Sequence, residues 1–406
     1  MSVAADALLV TQHYRPELIG PAPFCIDIAE WLLEQNYFVT VLTGPPHYPD
    51  PADFPDSAKS SEFANGVLVR RVPSMKPQRR SARSRIMAEA SFLICGLAAL
   101  LSRRISRQGL VISLAPSILS VALGVLSRRR GGRHVAIVQD IQSGLARGLG
   151  MVGNSLLLRL MQACERMVLN RTDLVIVLTE AMQSELRALG VTVPIEVVSI
   201  WVDTKLIMPK ADSPLSNDRR SLKICYSGSL GLKQGFGQIM ALAEELKAQR
   251  PDIELILRGG GGQAQALADE VARRRLDNVR LEGLLPRAQF IRGLTEADIY
   301  LVPLEPAAAP FMLPSKIFNI MAAAVPFVAT AETGSTLWRL QQESGAFLCV
   351  RPNRPDEFTA AVLELAENEE LRRQMGQRGR TYVEQYCSKE KVLGSLLDAV
   401  DRLNAA

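Results

Sequence analysis

Short apolar runs alternate with amphipathic segments along almost the whole chain. The runs are apolar throughout and bounded by turn residues, which is typical of parallel strands covered by helices on both faces. Two series of such runs, alternating with helical patterns, predict an α/β fold of two doubly wound, Rossmann-like domains. The predicted strands lie at 7–11, 38–44, 66–72, 110–116, 134–140, 173–180 and 195–201 in the first half, and at 222–228, 253–260, 278–283, 298–304, 326–331 and 346–350 in the second.

A polar stretch without periodicity separates the two series of strands. It carries two prolines and lies at 203–221, so it is interpreted as the linker between domains. Amphipathic helices are predicted between the strands, as at 24–35 and 265–276. The chain after about 355 is almost wholly helical in pattern. The predicted divisions are a first domain 1–202, a linker 203–221, a second domain 222–385 and a final helical segment 386–406.

Composition narrows the function classes. A chain of 406 residues is long enough for two cores. The net charge of +5 is mild and aromatic residues make up 5%, so neither an electrostatic nor a stacking argument favours a nucleic-acid partner. The six cysteines form no C-x-x-C pair, which favours buried, reduced thiols and a cytoplasmic chain. The three histidines show no zinc-type spacing, so a catalytic metal site built on histidine is not expected.

One segment, 76–109, combines a basic run, an apolar helical stretch and further arginines. The apolar part contains Glu89 and is short for a bilayer span. Two interpretations remain open. It is either a core helix with basic flanks or a helix that lies on an anionic membrane surface, with arginines at the headgroups. The arginines in question are Arg79, Arg80, Arg83 and Arg85.

The loops after strands are where doubly wound sheets bind ligands. The first candidate loop, CYSGSLGLKQGFG at 225–237, contains Gly228, Ser229, Gly231 and Lys233. Its glycines permit close backbone approach, and free N–H groups beside a lysine can bind phosphate. The alternative is an ordinary turn with a solvated lysine.

The second candidate loop, LRGGGGQ at 257–263, has four successive glycines, which include Gly259 and Gly260. Ordering four glycines costs backbone entropy. A loop that lies bare against a flat ligand would explain them, whereas a sharp turn explains only one or two. Arg258 is a candidate ligand contact, with a surface carboxylate as the alternative partner.

The third candidate loop introduces a lysine where a helix dipole disfavours a cation. Pro314 and Ser315 predict a helix start, and Lys316 follows at once, with Asn319 on the same face one turn later. An anion bound between helix and lysine would resolve the conflict. A further turn, after the strand at 326–331, opens another helix whose amides suit a phosphate. Its candidate residues are Glu332, Gly334, Ser335 and Thr336.

The first half offers fewer candidates. Gly20 precedes a long helix after the first strand but lacks the full G-x-G-x-x-G pattern, so no dinucleotide site is predicted. Gln139 and Asp140 end a strand, where an acceptor hydroxyl could meet them; the alternative is an aspartate that caps the next helix. Glu165 lies mid-helix as a solvated or paired carboxylate.

Taken together, these motifs resemble a known family. The segments VQD, SGSLGLKQG, RGGGG and LPSK-x-x-N-x-x-A occur in the order seen in the family 4 retaining glycosyltransferases of GT-B fold. Among these, the chain is most similar to the colanic-acid-type exopolysaccharide enzymes, whose best-known member transfers fucose. The resemblance spans about 10 to 390. It implies two domains facing a cleft and a final helix that crosses back to the first domain.

The resemblance also implies roles for the candidate residues. Lys233 and Lys316 match the cations that bind the donor diphosphate, and glycines 259–262 match the loop under the base. Two departures stand out. Asn319 and Phe311 occupy the places of the two glutamates of an E-x7-E motif, and Ser229 replaces an arginine of the phosphate loop.

The implied activity is metal-independent transfer of a sugar from a nucleotide-diphosphate sugar, with no further cofactor. Lys233 and Lys316 would stabilise the leaving diphosphate and Asp140 would orient the acceptor. By resemblance, the acceptor is an oligosaccharide on a polyprenyl diphosphate at the cytoplasmic face of the membrane, where the protein would be peripheral. A GT-B sugar-nucleotide epimerase and a non-catalytic sugar-nucleotide-binding partner remain as alternatives.

Overall fold

The computed structural model describes residues 5–17, 20–47, 54, 61–76, 82–150, 155–209 and 221–405. Its internal contacts divide the chain into two compact units. Unit 1 comprises Met1–Val198 together with Leu393–Ala406, and unit 2 comprises Ser199–Val392. Each unit has its own sheet.

Unit 1 is built on an eight-stranded sheet of order β3-β4-β2-β1-β5-β6-β7-β8. All of its neighbouring strands are parallel except β3 and β4. The strands are β1 Asp6–Val10, β2 Phe38–Thr43, β3 Ser61–Ala64, β4 Val67–Arg71, β5 Gln108–Ala115, β6 Arg128–Val138, β7 Leu174–Val177 and β8 Ile195–Val197. The helices are α1 Ala22–Glu34, α2 Ala82–Leu101, α3 Ile118–Ser127, α4 Gln142–Gly148, α5 Ser155–Leu169 and α6 Glu180–Leu189.

The antiparallel β3–β4 hairpin was not predicted, and the expectation of purely parallel strands is wrong at this edge. Strand β3 is polar and only partly buried, with Phe63 68% exposed, so it carries no apolar run. The sequence feature that indicates this hairpin is its turn. Asn65 and Gly66 both have positive φ, +51° and +82°, which a two-residue hairpin turn of the Asn-Gly type requires.

Unit 2 is built on a six-stranded sheet of order β11-β10-β9-β12-β13-β14, parallel throughout. The strand order reverses between β9 and β12, so the loops after these two strands meet at a switch point, where such sheets bind ligands. The strands are β9 Lys223–Ser229, β10 Glu254–Gly260, β11 Val279–Glu282, β12 Ile299–Val302, β13 Phe327–Thr330 and β14 Phe347–Val350. The helices are α7 Phe236–Gln249, α8 Ala264–Arg273, α9 Arg287–Gly293, a 3-10 helix Pro306–Phe311, α10 Lys316–Ala322, α11 Thr336–Ser344, α12 Pro355–Glu367 and α13 Glu369–Tyr386.

The last helix, α14, spans Lys389–Ala405, and from Leu393 onward the chain groups with unit 1. Most of the predicted linker, residues 210–220, lies outside the described residues. The described part of the linker, residues 203–209, is fixed to the rest of unit 2 by Arg380 on α13. This buried guanidinium donates to the carbonyl oxygens of Thr204 at 2.8 Å, Ile207 at 2.6 Å and Ala322 at 2.7 Å. Ala322 ends α10, so Arg380 also fixes the helix that begins at Lys316.

Replacing Arg380 with lysine should destabilise unit 2 by about 1–3 kcal/mol, because an ammonium cannot reach three carbonyls with the geometry of a guanidinium and leaves buried acceptors unsatisfied. Chemical denaturation measures this change. The matched control is Arg373→Lys on the same helix, where the side chain is exposed and pairs with Glu370. Equal effects of the two substitutions would contradict the assigned role of Arg380.

Helix α2 packs on the core of unit 1 while it exposes other apolar side chains. Phe92 is fully buried among core residues such as Leu8, Val10 and Leu123. The large apolar side chains that α2 exposes are those of Ile86, Met87, Ile94 and Leu101. Within the described ranges, no helix has the length and apolar character needed to span a bilayer. Arg79 and Arg80 lie outside the described residues, as do the side chains of Arg83 and Arg85.

Candidate functional site

The Lys316 ammonium lies buried at the switch point of unit 2. Helix α10 begins at Lys316, as predicted. Its Nζ lies 3.7 Å from the centroid of the Tyr226 ring on β9. A Cβ built on Gly228 would lie 3.4 Å from the same Nζ, so the Gly228 backbone lies directly beside the ammonium. Sheet order brings these residues together, because β12, which leads to α10, pairs directly with β9.

The ammonium has no hydrogen-bond partner among the residues that the structure describes. Burial lowers the pKa of Lys316 from its ordinary value to about 7. The face of Tyr226 attracts a cation, but it cannot replace the hydrogen bonds that the ammonium loses from water. An unsatisfied buried donor of this kind costs folding free energy. A bound anion that accepts hydrogen bonds would satisfy it.

Two glycines of the four-glycine run are required by the close approach of neighbouring loops. In the β9–β10 register, Gly228 lies opposite Gly259. Gly259 has φ +159° and a Cβ there would lie 1.9 Å from the Gly228 oxygen; Gly261 has φ +157° and its Cβ would lie 2.2 Å from the Leu230 oxygen. No side chain fits at either position. Packing within the chain therefore explains half of the run, without the bound ligand that the sequence suggested.

The Gly259→Ala substitution should destabilise unit 2 by about 1–3 kcal/mol or more through overpacking and should weaken anion binding at Lys316, because Gly228 has to move. The same run contains a matched control. A Cβ on Gly262 would meet no atom within 4 Å, so Gly262→Ala should leave thermal stability nearly unchanged. Similar melting temperatures for the two variants would contradict the assigned packing.

The loop after β9 is connected to the loop after β12 through backbone atoms. The Lys233 carbonyl accepts from the Glu305 N–H at 2.9 Å, and the Gly231 N–H donates to Gln234 Oε1 at 3.1 Å. Lys233 itself is partly exposed, and Ser229 is exposed. These bonds shape the loop that carries Lys233, the second predicted cation.

The turn after β13 forms a capped helix start. The Ser335 N–H donates to the Glu332 carbonyl at 3.0 Å, Gly334 has φ +79°, and Ser335 Oγ accepts from the Trp338 N–H at 3.3 Å. The Glu332 side chain points to solvent, whereas Thr336 Oγ1 is buried and lacks a hydrogen-bond partner among the described residues. Ser335 therefore acts as the N-cap of α11.

Ser315 and Asn319 flank Lys316 on α10. Ser315 occupies the N-cap position of α10, and its side chain makes no capping bond within the described part of the chain. Asn319 is partly buried, and its carbonyl accepts from the Ala323 N–H at 3.0 Å. Asn319 lies three positions after Lys316, the spacing at which side chains share a helix face, whereas Ser315 directly precedes it.

Two models of known protein families match this chain. The model described as "Glycosyl transferases group 1" matches residues 209–382, and the one described as "Glycosyl transferase 4-like domain" matches residues 20–201. Together they cover most of the chain, which belongs to the glycosyltransferases that these two models describe. These two models confirm the resemblance inferred from the sequence, and the similarly folded solved structures described next confirm the fold class.

Relatives of this glycosyltransferase fit the assignment. The chain is 27% identical over 403 residues to the "Putative colanic acid biosynthesis glycosyl transferase WcaI" of Escherichia coli K12. The match covers 96% of this chain and 98% of that protein. Its fold is similar to that of sucrose-phosphate synthase from Thermosynechococcus elongatus, with a TM-score of 0.79, 17% identity and 99% coverage of both chains. The fold is also similar to that of Anabaena Alr3699/HepE in complex with UDP and glucose, with a TM-score of 0.71, 14% identity, and 98% and 100% coverage.

One predicted donor contact of the glycosyltransferase is engaged elsewhere. The Arg258 side chain is buried, its Nε donates to Glu282 at 2.6 Å, and its guanidinium lies 3.6 Å from Glu296. A Cβ on Gly293 would lie 2.7 Å from the Arg258 Nη1. The alternative stated above, a carboxylate partner, describes the observed contacts of Arg258.

In unit 1, Gly20 and Asp140 are positioned by their local backbone. Gly20 has φ +66° in the turn that leads into α1, which is reason enough for a glycine. Asp140 follows β6 and is partly buried. The N-cap position of α4 belongs to Ile141 and not to Asp140.

Glu165 on α5 supports the start of α4 instead. It is buried, and its carboxylate accepts from the Ser143 N–H at 3.1 Å and from the Ser143 hydroxyl. Burial raises the pKa of Glu165. The sequence left open whether Glu165 is a solvated or a paired carboxylate, and the structure shows that it is buried and paired with Ser143. Glu165 thereby holds the helix that follows Asp140.

A cluster that the sequence did not reveal lies at the carboxyl ends of β1 and β2. His13 and His47 are 34 positions apart, yet both contact the carboxylate of Glu17, which is fully buried. Motif spacing could not show this, because the contacts arise from the parallel pairing of β1 with β2. The available signal was that His13 and His47 each follow a predicted strand.

Proposed function

We propose that this glycosyltransferase moves a sugar from a nucleotide-diphosphate donor to a saccharide acceptor, and that Lys316 binds the donor diphosphate. The supporting observation is the buried Lys316 Nζ without a hydrogen-bond partner among the described residues. A diphosphate oxygen would accept from it and satisfy the charge. Charge-assisted hydrogen bonds of this kind are about twice as strong as neutral ones.

Further support comes from the surroundings of Lys316 and from the relatives. The ammonium lies at the switch point of a parallel sheet, between the loops after β9 and β12. Lys233, on the first of these loops, adds a second positive charge. UDP is the nucleotide in the similarly folded HepE complex, and the WcaI relative is described as a colanic acid biosynthesis enzyme. Exopolysaccharide or cell-surface polysaccharide biosynthesis is therefore the proposed setting.

The proposed reaction breaks the bond between the anomeric carbon and the diphosphate oxygen and forms one between that carbon and an acceptor oxygen. The acceptor proton passes to the leaving diphosphate, which attack from the same face permits, so the anomeric configuration is retained. Negative charge develops on the diphosphate, and preorganised positive groups lower the barrier most. Lys316 and Lys233 would supply that charge without a metal ion at the diphosphate, and Asp140 would orient the acceptor hydroxyl.

A diphosphate panel tests the donor proposal. Thermal unfolding is measured with UDP, GDP, ADP and dTDP in EDTA, on the wild type and on Lys316→Ala. We expect one nucleotide to stabilise the wild type, by an increment that grows with the logarithm of its concentration, and to have no effect on the variant. Absence of stabilisation by all four would contradict the proposal. Turnover of the matching nucleotide-sugar then separates a transferase from a non-catalytic partner.

We further propose that unit 1 lies peripherally on the cytoplasmic face of a membrane that carries a polyprenyl-linked acceptor. Helix α3 packs against both α2 and α5, and both of those helices expose large apolar side chains. On α2, Ile94 is 65% and Leu101 84% exposed, and on α5 Leu156 is 72% exposed. The arginines that follow the end of α2 are exposed as well; they are Arg103, Arg104 and Arg107. Apolar side chains beside arginines suit an anionic lipid surface.

Replacing Ile94, Leu101 and Leu156 with serine should reduce binding to anionic vesicles by about 100-fold, since each substitution loses roughly 1 kcal/mol of apolar burial. Co-sedimentation with phosphatidylglycerol vesicles measures it. The matched control is Leu281→Ser in unit 2, where the leucine is 42% exposed. Unchanged binding of the triple variant would contradict the membrane surface.

A further inference from the structure

We propose that His13, Glu17 and His47 form a binding site for one zinc-type divalent cation in unit 1. The three residues supply two imidazoles and one carboxylate, and one ligand atom from each lies within 4.8 Å of the others. Two histidines and one glutamate are a donor set that protein zinc sites use, with a fourth position left for an oxygen ligand. The inference is independent of the proposed function, because Lys316 belongs to unit 2.

The separations of the donor atoms fit a single ion. His13 Nδ1 lies 2.7 Å from Glu17 Oε2. Ligands held about 2.0–2.1 Å from zinc at tetrahedral angles lie about 3.3 Å from one another. The His13–Glu17 separation is shorter than this value, so these two side chains would move apart slightly to accommodate the ion, and a ligand atom of His47 lies within 4.8 Å of the other two.

The scaffold holds the three side chains in place before any ion binds. Glu17 Oε1 accepts from the His47 backbone N–H at 2.7 Å, and the His47 ring contacts the Pro45 carbonyl through Nδ1 at 3.1 Å. A carbonyl only accepts, so this Nδ1 carries the proton and the other ring nitrogen, Nε2, has the lone pair. A ring N–H donated to a carbonyl is also the usual support of a metal-bound histidine.

The position of the cluster suits a ligand site. His13 lies in the loop after β1, and the sheet order of unit 1 reverses at β1, between β2 and β5. Loops at such a switch point form the ligand-binding edge of doubly wound sheets. The Glu17 carboxylate is fully buried, and a cation at this place would lower the cost of keeping it charged. Each nitrogen that coordinates has to be deprotonated, so binding releases the proton of any ring nitrogen that carried one.

The test is titration of the chelator-treated, full-length protein with Co²⁺ as a spectroscopic substitute for Zn²⁺. We expect one equivalent to bind with visible absorption of a four- or five-coordinate ion and without a thiolate charge-transfer band. His13→Ala and His47→Ala should weaken binding by more than about 100-fold, beyond the cost of losing an outer-shell contact. Glu17→Gln keeps an acceptor for the His47 N–H and should also weaken binding.

The matched control is Glu34→Gln, which removes an exposed carboxylate from α1 and should bind cobalt like the wild type. Circular dichroism shows whether each variant is folded. Failure of the folded wild type to bind one equivalent, binding that survives His13→Ala and His47→Ala, or a thiolate band would each overturn the proposal. Stabilisation by nucleoside diphosphates in EDTA reports on Lys316 separately, so the two proposals can fail independently.

Discussion

Replacing Lys316 with methionine should stabilise the free protein and abolish its stabilisation by nucleoside diphosphates. Methionine keeps most of the stem but removes a buried ammonium that lacks a hydrogen-bond partner among the described residues. The free protein should gain about 1–3 kcal/mol, the cost of such an unsatisfied group. Binding should lose about 2–5 kcal/mol, as when one partner of a buried charge pair is truncated. Thermal unfolding with and without the nucleotide measures both changes.

The pH dependence of this gain has a definite sign. In the folded chain, burial lowers the pKa of Lys316 to about 7, so between pH 7 and the ordinary lysine value the unfolded chain binds more protons. The contribution of Lys316 to the free energy of unfolding of the wild type therefore rises with pH across that window. Lys316→Met should exceed the wild type most at or below pH 7. The control Lys247→Met removes an exposed lysine that pairs with Asp277. If it behaved like Lys316→Met, the argument from burial would fail.

Donor affinity should fall by up to about tenfold for each pH unit above 7, because binding requires the protonated lysine. The free-state pKa of Lys316 is about 7, and a bound diphosphate would raise it. Binding therefore takes up a proton, with full affinity below pH 7 and loss of affinity as the pH rises toward the bound-state pKa. The diphosphate of a nucleotide-sugar does not titrate in this range, so the nucleotide-sugar is the suitable probe.

The groups that face Lys316 do not offset this effect. Burial raises the pKa of Cys225 to about 12 and also raises the pKa of Tyr226, so both stay neutral. Calorimetric titrations in buffers of different ionisation enthalpy measure the proton uptake. Lys316→Met should show none. An affinity that is constant from pH 6 to pH 9 would contradict the account.

The sequence predicted the sheet strands well wherever they are buried. Every predicted apolar run overlaps a strand, and most of these strands are buried, because a parallel strand covered on both faces has to be apolar along its length. Strand β3 was not predicted, because it lies at the sheet edge and is only partly buried, so its sequence carries no apolar run. The start of α10 at Lys316 was also predictable, since proline and serine mark helix starts by their local preferences alone.

The candidate site was less predictable where several parts of the chain meet. The sequence indicated that Lys316 needs an anion, but it could not show that Tyr226 and Gly228 enclose its ammonium. It indicated that Gly259 and Gly261 leave space for a ligand, but it could not show that both also make room for the neighbouring loop. Arg258 and the cluster of His13, Glu17 and His47 depend in the same way on contacts that sheet pairing creates between distant positions.

The central claim is that the buried Lys316 ammonium binds the donor diphosphate without a metal ion. The direct test is a calorimetric titration in EDTA at pH 6.5 of wild type and Lys316→Met. Each protein is titrated with the stabilising nucleoside diphosphate and with the corresponding monophosphate. The account predicts that the wild type binds the diphosphate much more tightly than the monophosphate, and that the methionine variant loses this preference. An undiminished preference in the variant would contradict it.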